Sequence, residues 1–346
     1  MMNKRVISVF MILVMLVSLA GCGGAKEGTD NTLVVVTWGG DLETALKKAA
    51  EGFEKENNCT IQWESATDYA KLKSMVDSGD VQWDVVTCDA DFAYRGGSQG
   101  LLEEMDYDVI SKDGIEDSCS TYGVPSYTWA NVIAYNSSKY QADTAPQSWA
   151  EFWDTSKFPG ERTFYKSPYE TLEVALLADG VAKDDIYPID VDRALQSLDK
   201  IKDKVSTWWE SGAQPQQMLS SGQVDLAEAW AGRITSAKAE GASVDIVMNE
   251  AIVITDQWVV PKGTKKKELA MKFLSFMTSP EAGKTFSENI TYGPANAKTY
   301  DLLDQSIIDT LASAPQYKDQ VVTYNAAYWA ENYDAVNEKF QAWLLE

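Results

Sequence analysis

Leu33-Val-Val-Val-Thr37 is an unbroken apolar run of the kind that fills a strand buried on both faces. Trp38-Gly39-Gly40 follows it, and then Leu42, Ala45, Leu46, Ala49 and Phe53 recur at helical spacing. The order repeats. Thr60-Ile61-Gln62-Trp63 reads as a strand, Tyr69 to Asp77 as a helix with Leu72 and Val76 on one face, and Trp83-Asp-Val-Val-Thr87 as a third strand. Strands alternating with helices predict a parallel α/β sheet. Such sheets bind ligands beyond the carboxyl ends of their strands, which makes Trp38 and the stretch Cys88 to Asp91 candidate site positions.

A strand-like segment from Tyr122 to Tyr135 carries the chain toward a second domain, and Ile252 to Pro261 has the composition of a return strand. Between them lie an amphipathic segment at Trp149 to Trp153 and a helix near Glu170 to Asp179. A further helix opens at Val191 behind the N-cap candidate Asp190, with Ala194, Leu195, Leu198 and Ile201 on one face. The middle block is therefore also α/β. After the return, Lys265 to Met277 is helical, Ser279-Pro280-Glu281 opens another helix with proline in its first turn, and a last amphipathic helix carries Tyr333, Val336, Phe340, Trp343 and Leu344. A chain that leaves one domain and re-enters it needs two crossings, and two crossing strands side by side make a hinge.

The first 21 of the 346 residues read as a removable leader: Lys4 and Arg5 precede an apolar run, Val6 to Ala20, too short for a permanent membrane span. Leu19-Ala20-Gly21-Cys22 resembles the bacterial lipobox, in which the leader is cut before a cysteine that then receives lipid. Residues 22–31 are polar and glycine-rich, as a tether from a lipidated Cys22 would be. The remainder has room for two domains at about 150 residues each. Without Lys4 and Arg5, 28 basic residues face 52 acidic ones, a balance of −24 that repels polyphosphate. The chain has no histidine, which excludes Ser-His-Asp and Cys-His nucleophiles and His-bearing zinc sites. Cys59, Cys88 and Cys119 allow at most one intrachain disulfide, and no CxxC spacing supports a metal or thiol-redox site. No cofactor is expected.

Trp38, Asp89, Asp91, Tyr127, Trp129, Trp230, Arg233, Asp256, Trp258 and Tyr292 sit at strand ends or crossings and are unusual there. Aromatic faces beside carboxylates suit an organic ammonium, through a cation–π contact of about 0.5–2 kcal/mol and a charge-assisted hydrogen bond. Each position has a duller reading: a tryptophan packs in a core, Asp89 and Asp91 cap the helix beginning near Phe92, and Arg233 is a solvated helix charge. Asp256 is harder to dismiss, since it interrupts the apolar run Ile252 to Val260, where a carboxylate needs a cation or several donors. If Arg233 and Asp256 share one cleft, one grips an anion and the other a cation, and the guest is a zwitterion.

The lipobox, Val34 to Gly40, Trp83 to Asp91, Trp208 to Gln214, Leu219-Ser-Ser-Gly-Gln-Val-Asp225, Trp230-Ala-Gly-Arg233, Thr255-Asp-Gln-Trp-Val-Val-Pro261 and Tyr292-Gly-Pro-Ala-Asn296 together resemble the spermidine/putrescine-type solute-binding proteins of ABC importers. The resemblance spans the mature chain. It implies a two-lobed, periplasmic-binding-protein-like (type II) α/β clamp hinged on crossing strands, with lobe I from residues 32–126 plus 257–300 and lobe II from 127–256 plus 301–346. It implies ammonium groups held by acids between aromatic walls, with Trp38, Trp230 and Asp256 at matching positions, and Glu170 and Glu173 where polyamine binders carry an acidic pair. It also implies a monomeric, non-enzymatic receptor, held outside the bacterial membrane by lipid on Cys22, that delivers its solute to a permease and an ATPase. Two positions depart from the polyamine pattern: Ile254 replaces a second tryptophan, and Arg233 would repel a diamine. The sequence resembles more closely the branch that takes short amino acids such as γ-aminobutyrate. A sugar receptor, or a secreted glycosidase built on paired carboxylates, are the alternatives.

Overall fold

Two long strands, Val124–Asn136 and Val244–Val259, pair antiparallel along most of their length and belong to both halves of a single sheet. The structure is a computed structural model that describes residues 31–346, of which Leu33–Glu346 form one compact unit. The leader, the lipobox and Cys22 lie outside the described residues.

In chain order the strands are β1 (Thr32–Thr37), β2 (Thr60–Ser65), β3 (Val85–Cys88), β4 (Val124–Asn136), β5 (Arg162–Tyr165), β6 (Val205–Trp209), β7 (Leu226–Trp230), β8 (Val244–Val259), β9 (Gly293–Pro294) and β10 (Val322–Thr323). The α-helices are α1 (Gly40–Ala49), α2 (Phe53–Asn57), α3 (Tyr69–Ser78), α4 (Phe92–Ser98), α5 (Trp149–Trp153), α6 (Thr171–Ala178), α7 (Val191–Asp199), α8 (Ala213–Ser221), α9 (Ala231–Ala239), α10 (Lys267–Met277), α11 (Pro280–Ser287), α12 (Gln305–Ile308) and α13 (Ala326–Leu344). Short polar side chains start several of them: Asp68, Asp190 and Ser279 accept the backbone N–H groups of Lys71, Arg193 and Ala282. Pro280 fills the first turn of α11, where a missing N–H costs nothing.

The sheet runs β2-β1-β3-β8-β4-β7-β5-β6, with β10 on β8 and β9 on β4. β1 pairs β3 in parallel, and β5 pairs β6 and β7 in parallel, as the strand–helix alternation predicts. The pairs β3–β8, β4–β8 and β4–β7 are antiparallel, so the whole sheet is mixed. The outgoing and returning crossings necessarily run in opposite directions and impose that change of sense. The β4–β8 register breaks between Pro125 and Tyr127 and between Asn131 and Ile133, which twists the shared strands where they pass from one half to the other.

Separate apolar clusters stabilise the two ends. Leu33, Val35, Leu46, Phe53, Val124, Trp258, Phe273 and Leu274 pack at one end, and Trp149, Phe164, Leu172, Leu198, Leu226, Trp329 and Phe340 at the other. Each such side chain contributes about 1.5–3 kcal/mol by leaving water. In α3 Leu72 and Met75 are buried and the expected Val76 is half-buried against the same cluster, so the inward stripe is wider than Leu72 and Val76 alone. Cys59, Cys88 and Cys119 are free thiols. Among the described residues no helix is long and apolar enough to cross a membrane.

Candidate functional site

Where the shared strands cross, a cavity of about 490 Å³ opens between the two packed ends. Asp256 of β8 and Tyr127 and Trp129 of β4 form its floor. The expected strand-end rule supplies the walls: Trp38 follows β1, Asp89 and Asp91 follow β3, and Trp230 ends β7. Gly39 and Gly40, at φ 81° and 64°, turn the chain sharply from β1 into α1, a conformation that side chains with a Cβ rarely adopt.

Asp256 is almost fully buried and accepts three hydrogen bonds. Tyr127 Oη lies 2.6 Å and Trp38 Nε1 3.3 Å from Oδ2, while Trp129 Nε1 lies 2.8 Å from Oδ1. These donors make its burial tolerable. Burial foremost, and the neighbouring Asp89 carboxylate, push Asp256 up to about 7, against the pull of the three donors. Asp89 is pushed up to about 6, again chiefly by burial, although the Tyr69 hydroxyl donates to it over 2.7 Å. Two mutually repelling carboxyls thus border one cavity, and a cation between them would relieve both.

The floor is boxed by aromatic rings. Tyr127 stacks on Tyr292 with centroids 5.6 Å apart, and Trp129 meets Trp230 edge-on at 5.6 Å. On the far wall, the first turn of α9 brings Gly232 and Arg233 to the cavity, and the first turn of α1 contributes Gly40 and Asp41. Helix N-termini favour negative charge. Arg233 is exposed, lines the cavity, and has no ion-pair partner among the described residues.

Ten of the twelve positions singled out in the sequence line this cavity: Trp38, Asp89, Asp91, Tyr127, Trp129, Glu170, Trp230, Arg233, Asp256 and Tyr292. Trp258 and Glu173 do not. Trp258 has the same strand parity as Asp256 but lies two residues, about 6.7 Å, further along β8; it is fully buried against Phe273. Glu173 was expected to share a helix face with Glu170. Glu170, at φ 64°, precedes the helix rather than belonging to it, so the three-residue spacing does not align them. Glu173 points into the core, where Tyr187 Oη and Trp329 Nε1 donate to it at 2.6 and 2.7 Å. Asp91 is no side-chain cap for α4; it pairs with Arg95 at 3.2 Å and accepts from Tyr169 Oη at 3.2 Å.

Tyr165, Tyr169, Ile254, Ile290 and Tyr324 also line the cavity. Tyr165 ends β5, and reading Arg162–Tyr165 as a strand would have found it by the strand-end rule. Tyr169 and Tyr324 come from connecting segments with no local pattern to mark them.

A sheet whose halves share two crossing strands, with a lined cavity at the crossing, is the fold of two-lobed periplasmic binding proteins. Residues 48–318 match the family model described as bacterial extracellular solute-binding protein. The chain is 37% identical over 328 residues to a γ-aminobutyric acid-binding protein of Pseudomonas aeruginosa, covering 92% of each chain. It superposes on the solved structure of the Atu4243 GABA receptor with TM-score 0.83 and 40% identity, covering 90% of this chain and 97% of that one. An ABC transporter substrate-binding protein from Bradyrhizobium japonicum gives TM-score 0.87 at 34% identity, covering 90% and 99%. The chain belongs to the bacterial extracellular solute-binding proteins.

Proposed function

We propose that this protein is the lipid-anchored receptor of an ABC importer, that it captures a small ω-amino acid of the γ-aminobutyrate type, and that it delivers it to a membrane permease without breaking a bond. The carrying observation is that Asp256, buried with three donors, and Arg233, free of an ion-pair partner among the described residues, border one cavity. The ammonium of the solute sits against Asp256 and Asp89 within the box of Trp38, Tyr127, Trp129 and Trp230. Its carboxylate meets Arg233 and the first turn of α9. The names of the relatives, a γ-aminobutyric acid-binding protein and a GABA receptor, agree with this reading.

In the same reading, residues 32–126 plus 257–300 and residues 127–256 plus 301–346 are lobes that close by bending β4 and β8, and Cys22 carries the lipid. The separate apolar clusters at the two ends support that division. Closure is driven by contacts made only when both lobes hold the solute.

Calorimetric titration of the purified protein with γ-aminobutyrate, putrescine, spermidine and maltose tests the reading. Saturable binding of γ-aminobutyrate tighter than that of the diamine and the sugar is expected. Binding of maltose alone, or hydrolysis of a chromogenic glycoside, would replace this function with a sugar receptor or an enzyme.

A further inference from the structure

Among the described residues five acids line the cavity, and they are not equivalent. Asp41, Asp89, Glu170 and Asp256 have no lysine or arginine ion-pair partner there, whereas Asp91 pairs with Arg95. Asp91 is 1% exposed, and Arg95 reaches its Oδ2 with two donors, Nη2 at 3.2 Å and Nε at 3.4 Å. Asp91 stands just before α4 and Arg95 four residues on within it, a spacing that places both on one helix face. Arg95 is itself held in place: its guanidinium lies 5.4 Å from the Phe92 ring centroid and 5.7 Å from that of Tyr69, and those two rings stack 3.9 Å apart. Arg95 does not line the cavity, so it meets Asp91 from behind the wall.

A buried carboxylate without a counter-cation attracts any cation that can reach it. Asp91 already has one, fixed by the helix and by two aromatic faces, and therefore offers a solute ammonium a neutral pair rather than a negative charge. The same oxygen also accepts from Tyr169 Oη at 3.2 Å. Asp89 and Asp256 differ in kind. Their side-chain donors, Tyr69 for the first and Tyr127, Trp38 and Trp129 for the second, are all neutral. Neutral donors stabilise a carboxylate without cancelling its charge, so these two acids keep their attraction for an ammonium.

We propose that Arg95 is a specificity-determining residue that acts through Asp91: it cancels the charge of one cavity acid from outside the cavity, and by removing that pole it disfavours a solute with a second ammonium group. The proposal rests on the amine-binding reading of the cavity and deepens it, assigning part of the choice between an ω-amino acid and a diamine to a residue that the solute does not touch.

The readout is the ratio of putrescine to γ-aminobutyrate affinity, measured by competition titration at about pH 8, well above the ordinary carboxylate range. A change in lobe closure acts on both solutes and cancels in this ratio. Arg95→Gln leaves the Asp91 charge uncompensated, and the ratio should move at least tenfold toward putrescine. Asp91→Asn leaves the Arg95 charge uncompensated, and the ratio should move at least tenfold the other way. Joining the two substitutions removes both charges and should bring the ratio back to within threefold of the parent's, and Arg95→Lys, which keeps the cation, should stay in the same range. A structural role alone would move both single variants in one direction and leave the double variant furthest from the parent. That pattern overturns the proposal, as does an unmoved ratio in a folded Arg95→Gln. Should Arg95→Gln not fold, the opposite sign of Asp91→Asn and its reversal in the double variant decide the matter. A parent protein that binds neither amine fails the amine reading and the proposal together, whereas a parent that binds γ-aminobutyrate while the variants leave the ratio unmoved fails the proposal alone.

Discussion

The Trp129 indole N–H reaches Asp256 at 2.8 Å although strand register places Trp129 opposite Ile254 and gives Asp256 to Tyr127. The indole therefore leans diagonally across the β4–β8 ladder, a reach long aromatic side chains have. One carboxylate thereby holds together two residues of the adjacent strand and, through Trp38, the end of β1. Trp129→Phe keeps an aromatic face and removes the N–H donor. Binding of an amine solute should weaken by about 1.5–3 kcal/mol, the range for a hydrogen bond to a charged group. Asp256→Asn should weaken it by about 2 kcal/mol or more, as expected for unpairing a buried charge. Calorimetry checks both, and an unchanged Kd in Asp256→Asn would remove this residue from the ligand site.

Acidity should act on binding and on stability in opposite directions. Asp256 titrates at about 7 and Asp89 at about 6 in the fold, whereas an unfolded aspartate titrates near 4. Between those values the folded chain retains protons that the unfolded chain has released, so these two groups lower stability as pH rises through that window; Glu228, pushed up to about 8 by burial, continues the fall above it. An ammonium binds the ionised acids, so affinity should drop about tenfold or more from pH 7.5 to 5.5. Thermal unfolding and titration at a series of pH values read both. A Kd independent of pH over that interval would contradict a carboxylate–ammonium contact.

Arg233 separates an amino acid from a polyamine. Because it is exposed, solvent screens it, and Arg233→Ala should cost γ-aminobutyrate about 1–2 kcal/mol rather than the full value of a buried pair. Putrescine should bind equally well or better to the variant. Tighter spermidine binding with no change for amino acids would count against a zwitterionic guest.

Backbone space also sets the shape of the wall. A Cβ on Gly232 would stand 2.3 Å from Tyr292 Cε1, far inside contact distance. Tyr292 in turn stacks on Tyr127. Gly232→Ala should displace the Tyr292 ring and weaken binding, with a stability loss of about 1–3 kcal/mol from overpacking. A variant with parental affinity would show that Tyr292 is not part of the wall the solute meets.

Tyr169 Oη donates to Asp91 between elements that the proposed division assigns to different lobes. Tyr169→Phe should leave the fold intact and shift the ligand-free population toward more open forms, by about 1 kcal/mol for one hydrogen bond. Small-angle scattering with and without ligand measures the shift; identical profiles for parent and variant in both states would refute the assignment.

The sequence alone determined the first strand–helix alternation, the long crossing strands and the capped helices, because periodicity, caps and turns are local; β5, β6, β7, α8 and α9 were not read from it. The apolar run ending at Thr37, the Asp190 and Ser279 caps and the alternation of strand and helix all carry their own evidence. Asp256 was legible for a related reason: a carboxylate inside an apolar run announces a special environment wherever the run lies in space. Only the tertiary structure decided what each site candidate faces. Asp256 and Trp258 share strand parity, yet one floors the cavity and the other fills a core, because α10 covers the second position and not the first. Glu170 and Glu173 share helical spacing on paper, but the turn at Glu170 breaks it. Tyr169 and Tyr324 gain their meaning from partners many tens of residues away. Contacts of that range depend on how whole elements pack, and no local pattern in the chain encodes them.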